Sequence, residues 1–238
     1  MTDENNTDAQ LTDAPKAKEK KAGAPQAGLY LRIADDQPFE EAYRALREAA
    51  FVINRSSYEK NLHVLEVGGD ALDVDSTDRL KALVLGGQQN GLVVIVRGDA
   101  GLAFAVEADG VLLDKPEDVA NARAVMGEDA IIGLRCGLSR QLAEAAAAEG
   151  LVDYIAFAAI AAHILPPETL VGWWGARSEI PALVEGKFTN DDCGRYVRAG
   201  ATFIEGSDYI WNHPKGIKQG TVDMLYAIDL AMESHGIQ

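Results

Sequence analysis

The 238-residue chain carries 37 acidic and 22 basic side chains, a net charge of −15, and 47% hydrophobic residues. It is long enough to bury one sizeable core, and its acidity argues against nucleic acid and anionic membrane as partners, since both need a cationic footprint. No apolar run nears the ~20 residues that span a bilayer. The first residues lack an apolar signal segment, so a cytoplasmic location is expected. Cys136 and Cys193 lie far apart without local histidine partners, which fits buried thiols in a reducing compartment better than a disulfide or metal site.

Residues 1–27 hold five acids and four lysines and almost no large apolar side chain. Such a segment cannot offset the entropy of ordering, so it reads as a disordered tail. The run Lys16 to Lys21 can dock an acidic protein partner or simply be solvated.

From Gly28 the pattern becomes regular. Leu29–Ile33 reads as a strand, and Pro38 opens a helix with apolar residues at Phe39, Ala42, Tyr43, Leu46, Ala50 and Ile53. Leu62–Val67 is a second strand, followed by a helix capped within Asp75–Thr77. Leu92–Val96, a short helix around Leu102–Val106, and Val111–Leu113 form a strand, helix, strand unit. These strands are apolar at every position, as in parallel sheets covered on both faces. A helix from Pro116 to Val125, a strand Ala130–Leu134, and a helix from Ser139 to Glu149 follow. The rest reads as a strand Val152–Ala158, a helix from Pro166-Pro167, a strand Ile180–Val184, a helix Asn190–Ala199, a strand Thr202–Ile204 and a last helix Thr221–Glu233. Eight such pairs over 28–238 fit a single-domain α/β fold, a (β/α)8 TIM barrel. An open doubly wound sheet would show a glycine-rich phosphate loop after its first strand, and residues 34–37 offer none.

The run Leu102 to Leu113, then Asn121–Gly127, Ala130–Leu134 and Asp153–Phe157, resembles thiamine phosphate synthase and its TenI-like relatives. The resemblance implies a barrel that couples a pyrimidine diphosphate to a thiazole phosphate, with Mg2+ and basic side chains assisting pyrophosphate departure. It also implies metal carboxylates at or near Asp99 and Glu117. Most other family groups are replaced. The basic run after strand two reads Val67-Gly68-Gly69, and the family's Asn-Asp falls on Arg97-Gly98. The turn after strand five reads Arg135-Cys136-Gly137. The phosphate grip after strand six is gone, the double glycine after strand seven reads Glu185-Gly186-Lys187, and strand eight ends in Glu205-Gly206-Ser207.

Active sites of such barrels lie at the strands' C-terminal ends. There the sequence places Glu66, Arg97, Asp99, Asp114, Arg135, Glu185, Gly186, Lys187, Glu205, Gly206 and Ser207. These residues can form an internally paired network or a site for a polar, even cationic, small-molecule ligand; Glu185 and Glu205 can face the mouth or turn to solvent. His163 and His213 are further candidates in the last loops. Two acids in the phosphate region oppose phosphate binding, so the expectation is a barrel poorly active or inactive as a synthase. The alternative is a non-catalytic metabolite- or protein-binding barrel. A homo-oligomer is compatible with either.

Overall fold

The computed structural model describes residues 27–34, 37–56, 61–68, 74–158 and 167–235. The tail residues 1–26, Gly69, His163 and Pro166 lie outside them. Ala27, assigned to the tail by composition, is buried and joins the core.

Strands and helices alternate as far as β8: β1 (Gly28–Arg32), α1 (Phe39–Ile53), β2 (Val64–Val67), α2 (Val74–Gln89), β3 (Val93–Arg97), α3 (Ala100–Ala105), β4 (Gly110–Leu113), then a 3₁₀ turn (Pro116–Asp118) leading into α4 (Val119–Met126). The second half comprises β5 (Ile131–Gly137), α5 (Arg140–Glu149), β6 (Tyr154–Ala158), α6 (Pro167–Gly175), β7 (Ala182–Glu185), α7 (Asn190–Arg198), β8 (Phe203–Glu205), α8 (Ser207–Trp211) and α9 (Ile217–His235). All eight strands are parallel and the sheet closes, with Gly28 of β1 opposite Phe203 of β8. The fold is a (β/α)8 barrel. Among the described residues no helix is long and apolar enough to cross a membrane.

Strand side chains alternate between two environments, as the period of two requires. The outward set packs under the helices in one large cluster. The inward set, Tyr30, Val64, Ile95, Leu112, Tyr154, Ala156, Leu183 and Phe203, forms a separate cluster along the axis. Two residues further along the same strands, the inward positions become Arg32, Glu66, Arg97, Asp114, Glu185 and Glu205, with Arg135 on β5. An apolar plug therefore carries a charged layer at the strands' C-terminal ends.

The segments that carry the family resemblance turn out to brace the other end of the barrel. Asp109 accepts a hydrogen bond from the Val94 amide at 2.7 Å. Asp153 repeats this two strands later, accepting from the Ile132 amide at 2.8 Å and from Arg123 at 2.7 Å. Arg123 also donates to the carbonyls of Ala130 (2.6 Å) and Leu151 (3.0 Å), fastening the end of α4 to the entry of β5. Gly110 is compulsory, because a Cβ there would lie 2.1 Å from the Ile131 carbonyl oxygen.

Several element boundaries differ from the pattern of the sequence. β5 runs on to Gly137, past the charge at Arg135 that ends its apolar run, because that guanidinium is matched by carboxylates inside the barrel. The last helix starts at Ile217, and the Thr221 hydroxyl donates to the Ile217 carbonyl at 2.8 Å from one turn further on. Between β8 and that helix lies α8, too short to show a periodic apolar pattern.

Candidate functional site

Glu66 is the centre of the charged layer. It is fully buried, and β2 aims it at the axis between three guanidinium groups. Arg97 Nε lies 2.5 Å from its Oε1, Arg135 Nη2 2.9 Å and Arg32 Nε 3.1 Å from the same oxygen. The Tyr30 hydroxyl donates to Oε2 at 2.9 Å from below. Burial alone would raise the Glu66 pKa, but Arg32, Arg135 and Arg97 outweigh it and hold the carboxyl below its ordinary value. Burial alone would lower the pKa of Arg32, but Glu66, Glu185 and Glu205 raise it.

Glu185 closes the network on the opposite side. Arg135 Nε lies 3.0 and 3.1 Å from its two carboxylate oxygens, and Arg32 Nη2 donates to it as well. Arg135 also reaches Asp114 at 2.9 Å. Three guanidinium groups thus meet three carboxylates, Glu66, Glu185 and Asp114. Charges removed from water need such partners, and here the partners are internal.

Glu205 turns inward as well, at 6% exposure. Its carboxylate accepts from the Ser207 amide at 3.0 Å, and the Gly186 amide also bonds to it. Convergent amides after β7 and β8 are what a barrel of this type presents to a phosphate; in this chain a carboxylate of its own occupies them. Burial raises the Glu205 pKa above the usual carboxylate range, against the pull of Ser207, Arg32 and Gly186. The Ser207 hydroxyl accepts from the Arg32 amide at 2.6 Å. Above these groups an open cavity of about 710 Å³ is lined by Arg32, Glu185, Gly186, Lys187, Glu205 and Trp211, among others.

Of the residues singled out in the sequence, Glu66, Arg97, Asp114, Arg135, Glu185, Glu205 and Ser207 meet at this mouth, with Gly186 on its wall; Gly206 forms the N-terminal boundary of α8. Lys187 projects into solvent, 84% exposed, 3.5 Å from Asp208. His213 is held away from the mouth by Asp223 at 3.4 Å and by the Lys215 amide. Asp99 accepts from the Leu102 amide at 3.0 Å and caps α3. Glu117 is exposed on the 3₁₀ turn. Among the described residues no three His, Cys, Asp or Glu side chains converge as a metal site; Mg2+ commonly takes only one or two carboxylates with water and substrate phosphate, so Asp99 and Glu117 stay the donors that the resemblance implies. Arg32, Tyr30 and Tyr154 belong to the constellation but are easily read as plain strand residues. Their signal is the period of two, which puts Tyr30 and Arg32 on the same inward face of β1.

Fold and site together define a (β/α)8 barrel whose mouth carries cations already neutralised from within. Residues 69–208 match the family model described as "Thiamine monophosphate synthase". A thiamine-phosphate synthase from Hyphomonas neptunium is 34% identical over 207 residues, 81% of this chain and 89% of that protein. One from Rhodospirillum centenum is 32% identical over 143 residues, 57% of this chain and 69% of that protein. In fold the chain is similar to the thiamine phosphate pyrophosphorylase from Pyrococcus furiosus, with a TM-score of 0.66 and 18% identity, covering 87% of this chain and 98% of that one. The chain belongs to the thiamine monophosphate synthase family.

Proposed function

We propose that this family member has left synthase chemistry and is a divergent barrel that binds a small, polar, non-phosphorylated molecule at its mouth. The observation that carries this reading is Glu66, whose single buried carboxylate is surrounded by Arg32, Arg97 and Arg135. A synthase must bind a diphosphate and stabilise departing pyrophosphate with cations and amides preorganised where negative charge develops. In this chain those cations are already paired. The amides of Gly186 and Ser207 already hold Glu205. An incoming diphosphate has to displace carboxylates from both sets, and carboxylates a few ångströms away repel it by about 1–4 kcal/mol each.

A ligand suited to this mouth is neutral or carries one positive charge, using the outer carboxylate edges of Glu185 and Glu205 as acceptors and Lys187 at the rim. The reading predicts that the gene does not restore thiamine-independent growth to a strain lacking its synthase, even when the protein accumulates. Restored growth overturns it.

A further inference from the structure

Below the charged layer, the apolar axial cluster leaves a hollow at the end of the barrel opposite the mouth. A cavity of about 330 Å³ opens at the N-terminal ends of the strands, between the rings of Tyr30, Tyr154 and Phe203 and the side chains of Val64, Ile95 and Ile131. Barrel interiors are ordinarily filled by three layers of side chains. Here the lower end cannot be filled from β1 or β4. A Cβ at Gly28 would lie 1.9 Å from the Leu62 carbonyl oxygen, and one at Gly110 would lie 2.1 Å from that of Ile131. Val93 and Ile131, although packed against the axial cluster, remain only half-buried, which marks the opening to solvent.

The wall offers a ligand almost no polar contact. The Tyr30 hydroxyl points up to Glu66, and that of Tyr154 lies 3.5 Å from it, so both rings present carbon to the hollow. At the rim, Asp153 is engaged by Arg123 and the Ile132 amide, and the Thr202 hydroxyl accepts from the Ala182 amide. A water inside would lack the two to four partners it needs. Apolar cavities of about 150 Å³ take up benzene; this one is about twice as large and falls within the range of small-molecule pockets. We propose that the cavity is a binding site for a small, uncharged, aromatic molecule of bicyclic size. It is separate from the mouth, and its test does not depend on what the mouth binds.

Indole serves as the probe, titrated into the full-length protein by calorimetry while isoleucine and valine methyl resonances are followed by NMR. The expected result is saturable binding of one indole per chain, with shifts at Ile95, Ile131, Val64 and Val93. Indole-3-carboxylate, which must bury a charge without a partner, should bind at least about tenfold more weakly. Val93→Trp and Ile131→Trp, both at the half-open end where added volume is tolerated, should each abolish binding with the circular dichroism spectrum and melting temperature retained. No saturation by indole overturns the proposal, as do methyl shifts confined to other surfaces, or undiminished binding in whichever filled variant keeps its fold.

Discussion

Replacing Glu66 with glutamine removes one negative charge and leaves the shape of the side chain nearly unchanged. Arg32, Arg97 and Arg135 then lose the one carboxylate that all three share, while Glu185, Asp114 and Glu205 stay beside Arg32 and Arg135. Breaking a buried ion pair by removing one partner costs about 3–5 kcal/mol. The three arginine side chains are 27%, 21% and 18% exposed, so water relieves part of this and about 2–4 kcal/mol is the better expectation. At roughly 2–4 °C per kcal/mol for a chain of this size, Glu66→Gln should melt about 4–16 °C below wild type at pH 7. The pH dependence fixes the sign. The folded pKa of Glu66 is held below its unfolded value, so its contribution is complete above the unfolded pKa of about 4.3 and is lost as pH falls through the lower folded value. The gap between wild type and variant, followed by scanning calorimetry, should therefore persist from pH 7 to about pH 5 and close at more acidic pH. A difference under about 2 °C at pH 7, or one that stays constant into the acid range, refutes the claim that this carboxylate holds the three arginines.

Glu205→Ala vacates the amides of Gly186 and Ser207 and should strengthen binding of inorganic phosphate by about tenfold, near the low end of the repulsion between close unit charges; equal affinity in calorimetric titration shows that Glu205 does not block that position. Cys136 and Cys193 are both buried, and burial pushes their thiols up to about 12 and about 11. At pH 8 the folded protein should release no aromatic thiolate from an aromatic disulfide reagent, whereas both thiols should react in guanidinium chloride. Ser139 caps α5 by accepting from the Leu142 amide at 3.1 Å. Ser139→Ala should cost about 1 kcal/mol, read as a fall of about 2–4 °C in melting temperature with the spectrum unchanged.

The fold was legible because it rests on signals that short windows carry. Continuous apolar strands, helix starts at Pro38 and Ser139, and alternation along the whole chain leave few arrangements except a closed parallel barrel. The stretches that resemble the family contribute scaffold, since Asp109, Gly110, Arg123 and Asp153 all brace the N-terminal ends of strands. That is why family membership can be secure while the reaction is open. The site was only half legible. Charges that follow apolar runs mark strand ends, so Glu66, Arg135, Glu185 and Glu205 could be collected in one mouth. Their pairing could not be read, because Glu66 and Arg135 are 69 residues apart and only closure of the barrel brings them together. Arg32 is the one charge within β1 and reads as a plain strand residue, and Asp99, the metal carboxylate that the resemblance implies, also caps α3. Local spacing cannot separate those two roles for an aspartate that precedes a helix.

The most direct measurement is turnover itself. Purified full-length protein is supplied with the pyrimidine diphosphate, the thiazole phosphate and Mg2+, and thiamine phosphate is quantified against a no-enzyme control. Loss of one preorganised donor commonly lowers a rate by about 10²- to 10³-fold. Here Arg32, Arg97 and Arg135 are paired with carboxylates and the amides of Gly186 and Ser207 hold Glu205. The predicted result is product at the level of the control, unchanged in Glu185→Gly. Robust turnover by the unmodified chain would contradict the account, since the carboxylates at its mouth would then have to yield to a diphosphate.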